Sequence, residues 1–129
     1  LHKQVWIKVN APIDEGIAEL IEALSSFPML QTIESCQGDA AEPVSGEEGQ
    51  PAKIFFYYGQ HDHAHPYRDI AEFVLGYLGP ELMGDLGDRV SVQLDVVTEY
   101  IVMGILTVRQ GAMRRTIRAI RRLRRNFKG

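Results

Sequence analysis

"RVSVQLDVVTEYIVMGILTVR", residues 89–109, decides the fold. Its first half alternates, with Val90, Val92, Leu94 and Val96 set against Ser91, Gln93 and Asp95. That is the period of a strand with one buried and one wetter face, and so clean a pattern argues for an antiparallel sheet. "IVMGILTVR" (101–109) is apolar on both sides and can return beside it as a hairpin across Thr98, Glu99 and Tyr100.

Working outward, "AKIFFYY" (52–58) reads as a strand with aromatics on both faces, and "LQTIES" (30–35) as a less regular one. "VWIKVN" (5–10) alternates Val5, Ile7 and Val9 against Trp6 and Lys8. Helical stripes separate these runs. Pro12, Asp14 and Glu15 open a first helix whose stripe is Ile13, Ile17, Leu20, Ile21 and Leu24, and Pro28 bars its continuation. Pro66 opens a second, with Ile70, Phe73, Val74, Tyr77 and Leu78 inward and Gly79-Pro80 as its stop. A third starts near Ala112 and turns Met113, Ile117, Ile120, Leu123 and Phe127 inward.

The order is strand, helix, strand, strand, helix, strand, strand, helix. Its first six elements match the split β-α-β arrangement of ferredoxin-like sandwiches, so the expected class is α+β. Right-handed crossovers place the first two helices on one face of the sheet. The last strand is then expected at an edge. The third helix is expected to cover the second face, with Trp6 and one aromatic pair beneath it. The chain reads as a single domain over 1–129, with a flexible acidic loop over 39–51 and a basic amphipathic helix over 112–128.

Of 129 residues, 45% are apolar and 24% charged, ordinary for a globular domain. No apolar run reaches the length that spans a bilayer and no signal-peptide pattern opens the sequence, so a cytoplasmic protein without a membrane partner is expected. One cysteine rules out an internal disulfide and fits a reducing compartment. The net charge of −3 hides an asymmetry, because all 17 acids lie between Asp14 and Glu99 while 8 of the 14 Lys and Arg lie between Arg114 and Lys128. The body is thus −11 (6 minus 17) and the tail +8. Such a split suggests an anionic partner, or a tail lying on its own acidic body.

Three groups of residues carry possible chemistry. In "MRRTIRAIRRLRRNFK" (113–128) the guanidinium groups of Arg114, Arg115, Arg118, Arg121, Arg122 and Arg125 can follow the phosphate backbone of RNA or DNA. Trp6 and Lys8, joined by Phe55 and Tyr57 or by Phe56 and Tyr58, can act as a stacking platform. Alternatively, the arginines form a solvated outer face. In "HDHAH" (61–65), His61, His63 and His65 are ligand types for zinc, nickel or copper, against the plainer reading of a solvated loop. In "TIESCQGD" (32–39), Ser35, Cys36, Gln37 and Gly38 form a candidate ligand pocket, and the plainer reading of Cys36 is a small buried residue at a strand end.

Thr32, Ser35, Cys36 and Gly38 fall on matching positions of the Ser-Cys-Ser-Gly-Arg signature of the wybutosine-synthesis tRNA methyltransferase family, which this stretch resembles. Gln37 stands where that family has serine and Asp39 where it has arginine. The resemblance implies an S-adenosylmethionine-dependent, methyltransferase-like enzyme. Residues 8–39, with "FVLGYLGPEL" and "GDRVSVQL", are similar to small bacterial and phage proteins of uncharacterised function, which implies a shared fold and no chemistry. A further expectation is a structural or regulatory homodimer, formed by pairing of "IVMGILTVR" at a sheet edge. Basic charge, a weak pocket and an edge are the three leads.

Overall fold

The computed structural model describes residues 15–36, 49–59 and 67–128. The expected strand at 5–10, with Trp6 and Lys8, lies outside them, as do Gln37, Gly38, most of the acidic loop and "HDHAH". The described elements are α1 (Glu15–Ser25), β1 (Leu30–Cys36), β2 (Ala52–Tyr58), α2 (Arg68–Phe73), α3 (Gly79–Leu86), β3 (Val90–Thr98), β4 (Ile101–Val108) and α4 (Met113–Arg125).

The fold is α+β, an open antiparallel sheet with helices packed on it, as in ferredoxin-like domains. The strand order is β1-β2-β4-β3. The hairpin forms as the alternation requires, pairing Val90 with Val108 and Val96 with Val102. Its second strand, however, is not at an edge. β4 also pairs with β2, from Ala52↔Val108 to Phe56↔Gly104, and so sits inside the sheet. The physical reason is the apolar character of both its faces, which suits an interior strand better than an exposed one.

One sheet face is buried. Ala52, Ile54 and Phe56 of β2, Val102, Leu106 and Val108 of β4, and Val90 and Val92 of β3 join a single core with the helices. Gly104 is required there: a Cβ would stand 2.3 Å from Cζ of Phe56, so the ring of the residue opposite in register fills that place. α1 contributes Ile17, Leu20 and Leu24, all fully buried, and ends before Pro28 as expected.

Two expectations about the helices need correction. Gly79-Pro80 does not stop the second helix. The Gly79 amide donates to the Val74 carbonyl, one residue further back than in an α-helix, and this π turn (Val74–Leu78) joins α2 to α3 in one rod. Pro80 is tolerated because it falls in the first turn of α3, where its missing N–H costs little. Nor does the last helix cover the second sheet face. α4 lies on the same side as the others, between α1 and α3. There the Tyr77 hydroxyl donates to the Leu123 carbonyl (2.7 Å) and Arg124 Nε donates to the Ser26 carbonyl (2.9 Å). The reason is a stripe wider than the sequence reading allowed. Thr116 and Ala119 are buried along with Met113, Ile117, Ile120 and Leu123, so half of the helix circumference needs cover, and two helices and a sheet supply it.

Candidate nucleic-acid interface

α4 divides cleanly along its axis. At 100° per residue, the buried positions fall on one half of the helix and six of the seven arginines on the other, while Arg124 falls on the inward half near its end. The inward hydroxyl of Thr116 is satisfied by donating to the Ala112 carbonyl (2.8 Å). The outward half is a guanidinium ridge, rising about 16 Å from Arg114 to Arg125. All six candidate arginines are exposed and stand together on it.

Part of this charge is balanced from within. Glu19 of α1 accepts from Arg114 (2.8 Å) and lies 3.6 Å from Arg121, and Asp85 of α3 accepts from Arg122 (2.9 Å). Arg124 leans away from the ridge and stands 6.0 Å over the Phe27 ring. No ion pair joins Arg115, Arg118 or Arg125 to a described residue. The basic tail therefore does lie on its acidic body, but among the described residues two carboxylates face the six guanidiniums of the ridge. The remaining positive charge points to solvent.

The ridge costs the helix something. Like charges one turn apart repel, by a few tenths of a kcal/mol per pair. Arg114 and Arg115 stand in the first turn, where the helix dipole favours acids and none is present. Arg122, Arg124 and Arg125 stand in the last turn, where the dipole favours them. Helix stability alone would not select arginine at 114 and 115.

The aromatic platform divides between the two faces of β2. Phe56 and Tyr58 turn to the core, where Tyr58 stacks parallel on Phe73 with centroids 4.0 Å apart. Phe55 and Tyr57 point to the other face, on which no described helix packs, and Tyr57 is 39% exposed. That face is opposite the arginine ridge. A single stretch of nucleic acid cannot lie flat on both.

Ser35 and Cys36 diverge as consecutive strand residues do: Ser35 is buried opposite Ile54, and half-buried Cys36 is opposite Lys53 on the helix-free side. The described side chains of "SCQG" thus do not converge. His61, His63 and His65 lie outside the described residues. Among the described residues no group of three or more His, Cys, Asp or Glu is placed to hold a metal.

A cleft of about 500 Å³ opens where β2, α2 and the end of α4 meet, between Tyr58, Asp69, Glu72, Phe73, Phe127 and Lys128. It was not foreseen, because its wall is an aromatic cluster drawn from four separate segments. Phe73 is edge-on to Phe27 at 5.1 Å and to Phe127 at 6.0 Å. Burial, then the Asp69 charge, raises the Tyr58 pKa. Burial, then Glu81, raises that of Tyr77. Both phenols are therefore neutral donors at physiological pH.

No protein-family model, curated protein or solved structure matches the chain.

Proposed function

We propose that the chain is a binding module for a nucleic-acid backbone, RNA or DNA, contacted by Arg114, Arg115, Arg118, Arg121, Arg122 and Arg125. The observation that carries this reading is the ridge itself: an outward helical half made of arginine, with Arg115, Arg118 and Arg125 paired to no described residue. Guanidinium groups match phosphate oxygens in a planar, two-pronged way, and each phosphate neutralised releases counterions. The placement of Arg115 against the helix dipole, with no described carboxylate paired to it, supports the same reading. A solvated face kept only for solubility would carry acids there.

Contacts to phosphate carry no sequence information, and the ridge is assigned to the phosphate backbone. RNA and DNA single strands of equal length should therefore bind about equally at a given salt. The test is a fluorescence-anisotropy titration of a labelled single strand with the wild type and with the triple variant Arg115→Glu, Arg118→Glu, Arg125→Glu. These positions are exposed, so the variant should fold, as circular dichroism would check. Binding lost in the folded variant is expected. Unchanged affinity would end the proposal.

A further inference from the structure

Among the described residues the sheet has two edge strands that pair on one side only, and they are built differently. β1 carries its irregularity mid-strand, between Thr32 and Glu34, where an extra residue twists the edge and blocks pairing with another chain. β3 carries its own near the tip, between Val96 and Thr98, and pairs regularly from Val90 to Val96. Over this seven-residue stretch the alternate residues Val90, Val92, Leu94 and Val96 therefore turn their backbone N–H and C=O groups away from β4, on the side where no described strand pairs. Such an edge is ordinarily covered or blunted.

The flank of the helical rod above this edge is also unusual. Tyr77 and Asp85 turn to α4, bonding Leu123 and Arg122. On the opposite flank stand Leu75, Gly79 and Met83, about one turn apart. Gly79 lies against β3, where a Cβ would come within 3.8 Å of that of Val92. Leu75 is 60% exposed, Met83 45% and Val96 65%. The rod and the strand beneath it thus both carry exposed large apolar side chains.

We infer that this surface is a two-fold interface with a second copy of the chain, made by antiparallel pairing of β3 with itself about Gln93. The strand is self-complementary in that register. A two-fold axis at Gln93 sets Val92 opposite Leu94, Ser91 opposite Asp95 and Val90 opposite Val96. Apolar meets apolar on the core face, polar meets polar on the other, and no like charges oppose. All seven regular residues are paired. Moving the axis to Asp95 shortens the ladder and sets two carboxylates face to face. The interface is isologous, as most homodimers are, and joins two four-stranded sheets into one of eight. Because that axis is normal to the sheet, both helical layers, and both arginine ridges, lie on the same side. The inference stands on the edge and its flank and does not depend on nucleic-acid binding.

Sedimentation over a range of concentrations tests it. The wild type is expected as a concentration-dependent dimer, and Leu75→Glu with Met83→Glu, both exposed in the monomer, should weaken it about a hundredfold. A strict monomer at every concentration overturns the inference, as does a double variant that dimerises unchanged. The register has its own check in a Cys36→Ser background. Gln93→Cys should cross-link to its own copy under copper phenanthroline, while Ser91→Cys, facing Asp95 of the second copy, should not. A dimer in which Gln93→Cys stays unlinked would place the interface elsewhere and overturn the inference too.

Discussion

α4 and the rod formed by α2 and α3 lie side by side on one core, and their inward halves are nearly interchangeable. Met113, Ile117, Ile120 and Leu123 do for α4 what Phe73, Val74, Leu78 and Leu82 do for the rod. Their outward surfaces share nothing. That of α4 is arginine; that of the rod combines carboxylates such as Glu72, Glu81 and Asp85 with exposed Leu75 and Met83. The inward halves are therefore about folding, and any strong apolar stripe would serve. The outward halves are free of that demand, and the two proposals assign them to different partners: phosphate for α4, another apolar surface for the rod.

The largest expected effect lies on the inward side. Ile120→Ala, at a fully buried position of α4, should cost about 2–5 kcal/mol in urea unfolding. Leu75→Ala on the outward flank should stay within about 0.5 kcal/mol in the monomer. Equal costs would erase the distinction between the halves. Gly104→Ala should follow at about 1–3 kcal/mol, because the new methyl meets the buried Phe56 ring from β2. Tyr77→Phe removes the one hydroxyl bond that ties the rod to the Leu123 carbonyl and should cost about 1 kcal/mol.

A pH series sharpens the aromatic side of the comparison. The folded state holds the Tyr58 proton more tightly than the unfolded chain does, through burial and then the Asp69 charge. Its contribution is therefore complete below the unfolded phenol pKa of about 10 and is lost as the pH rises through the folded one. The melting temperature should fall in that alkaline window, and Tyr58→Phe should flatten the fall. A steeper fall in the variant would contradict the assignment. A small stability effect is also expected from Glu19→Gln, within about 1 kcal/mol because the pair is solvent-exposed. Its binding effect has the opposite sign to arginine loss. Freed of Glu19, Arg114 and Arg121 should hold nucleic acid more tightly.

What was legible in the sequence follows the same division. Periodicity gave α1, β1, β2, the hairpin and the inward face of α4, because burial on one side leaves a repeating mark. It failed at Gly79-Pro80, where a π turn lets the rod continue past a pair of residues that ordinarily ends helices. It also failed on placement. Nothing local distinguishes an edge strand from an interior one except apolarity on both faces, and in "IVMGILTVR" that sign marks the interior and not a sticky edge. The side on which α4 packs was hidden too, since Thr116 and Ala119 do not read as apolar anchors. Of the candidate interface, the arginines were legible as a ridge. Their partners Glu19 and Asp85 were not, being 95 and 37 residues away from Arg114 and Arg122 in the chain.

The most direct measurement is the affinity of the wild-type chain for a labelled single strand across a series of salt concentrations. With at least the three unpaired arginines on phosphates, log K should fall linearly with log salt at a slope of about −2 or steeper, roughly −0.7 for each phosphate engaged. A flat line, or no binding even at low salt, would contradict the claim that the α4 ridge exists to hold a phosphate backbone.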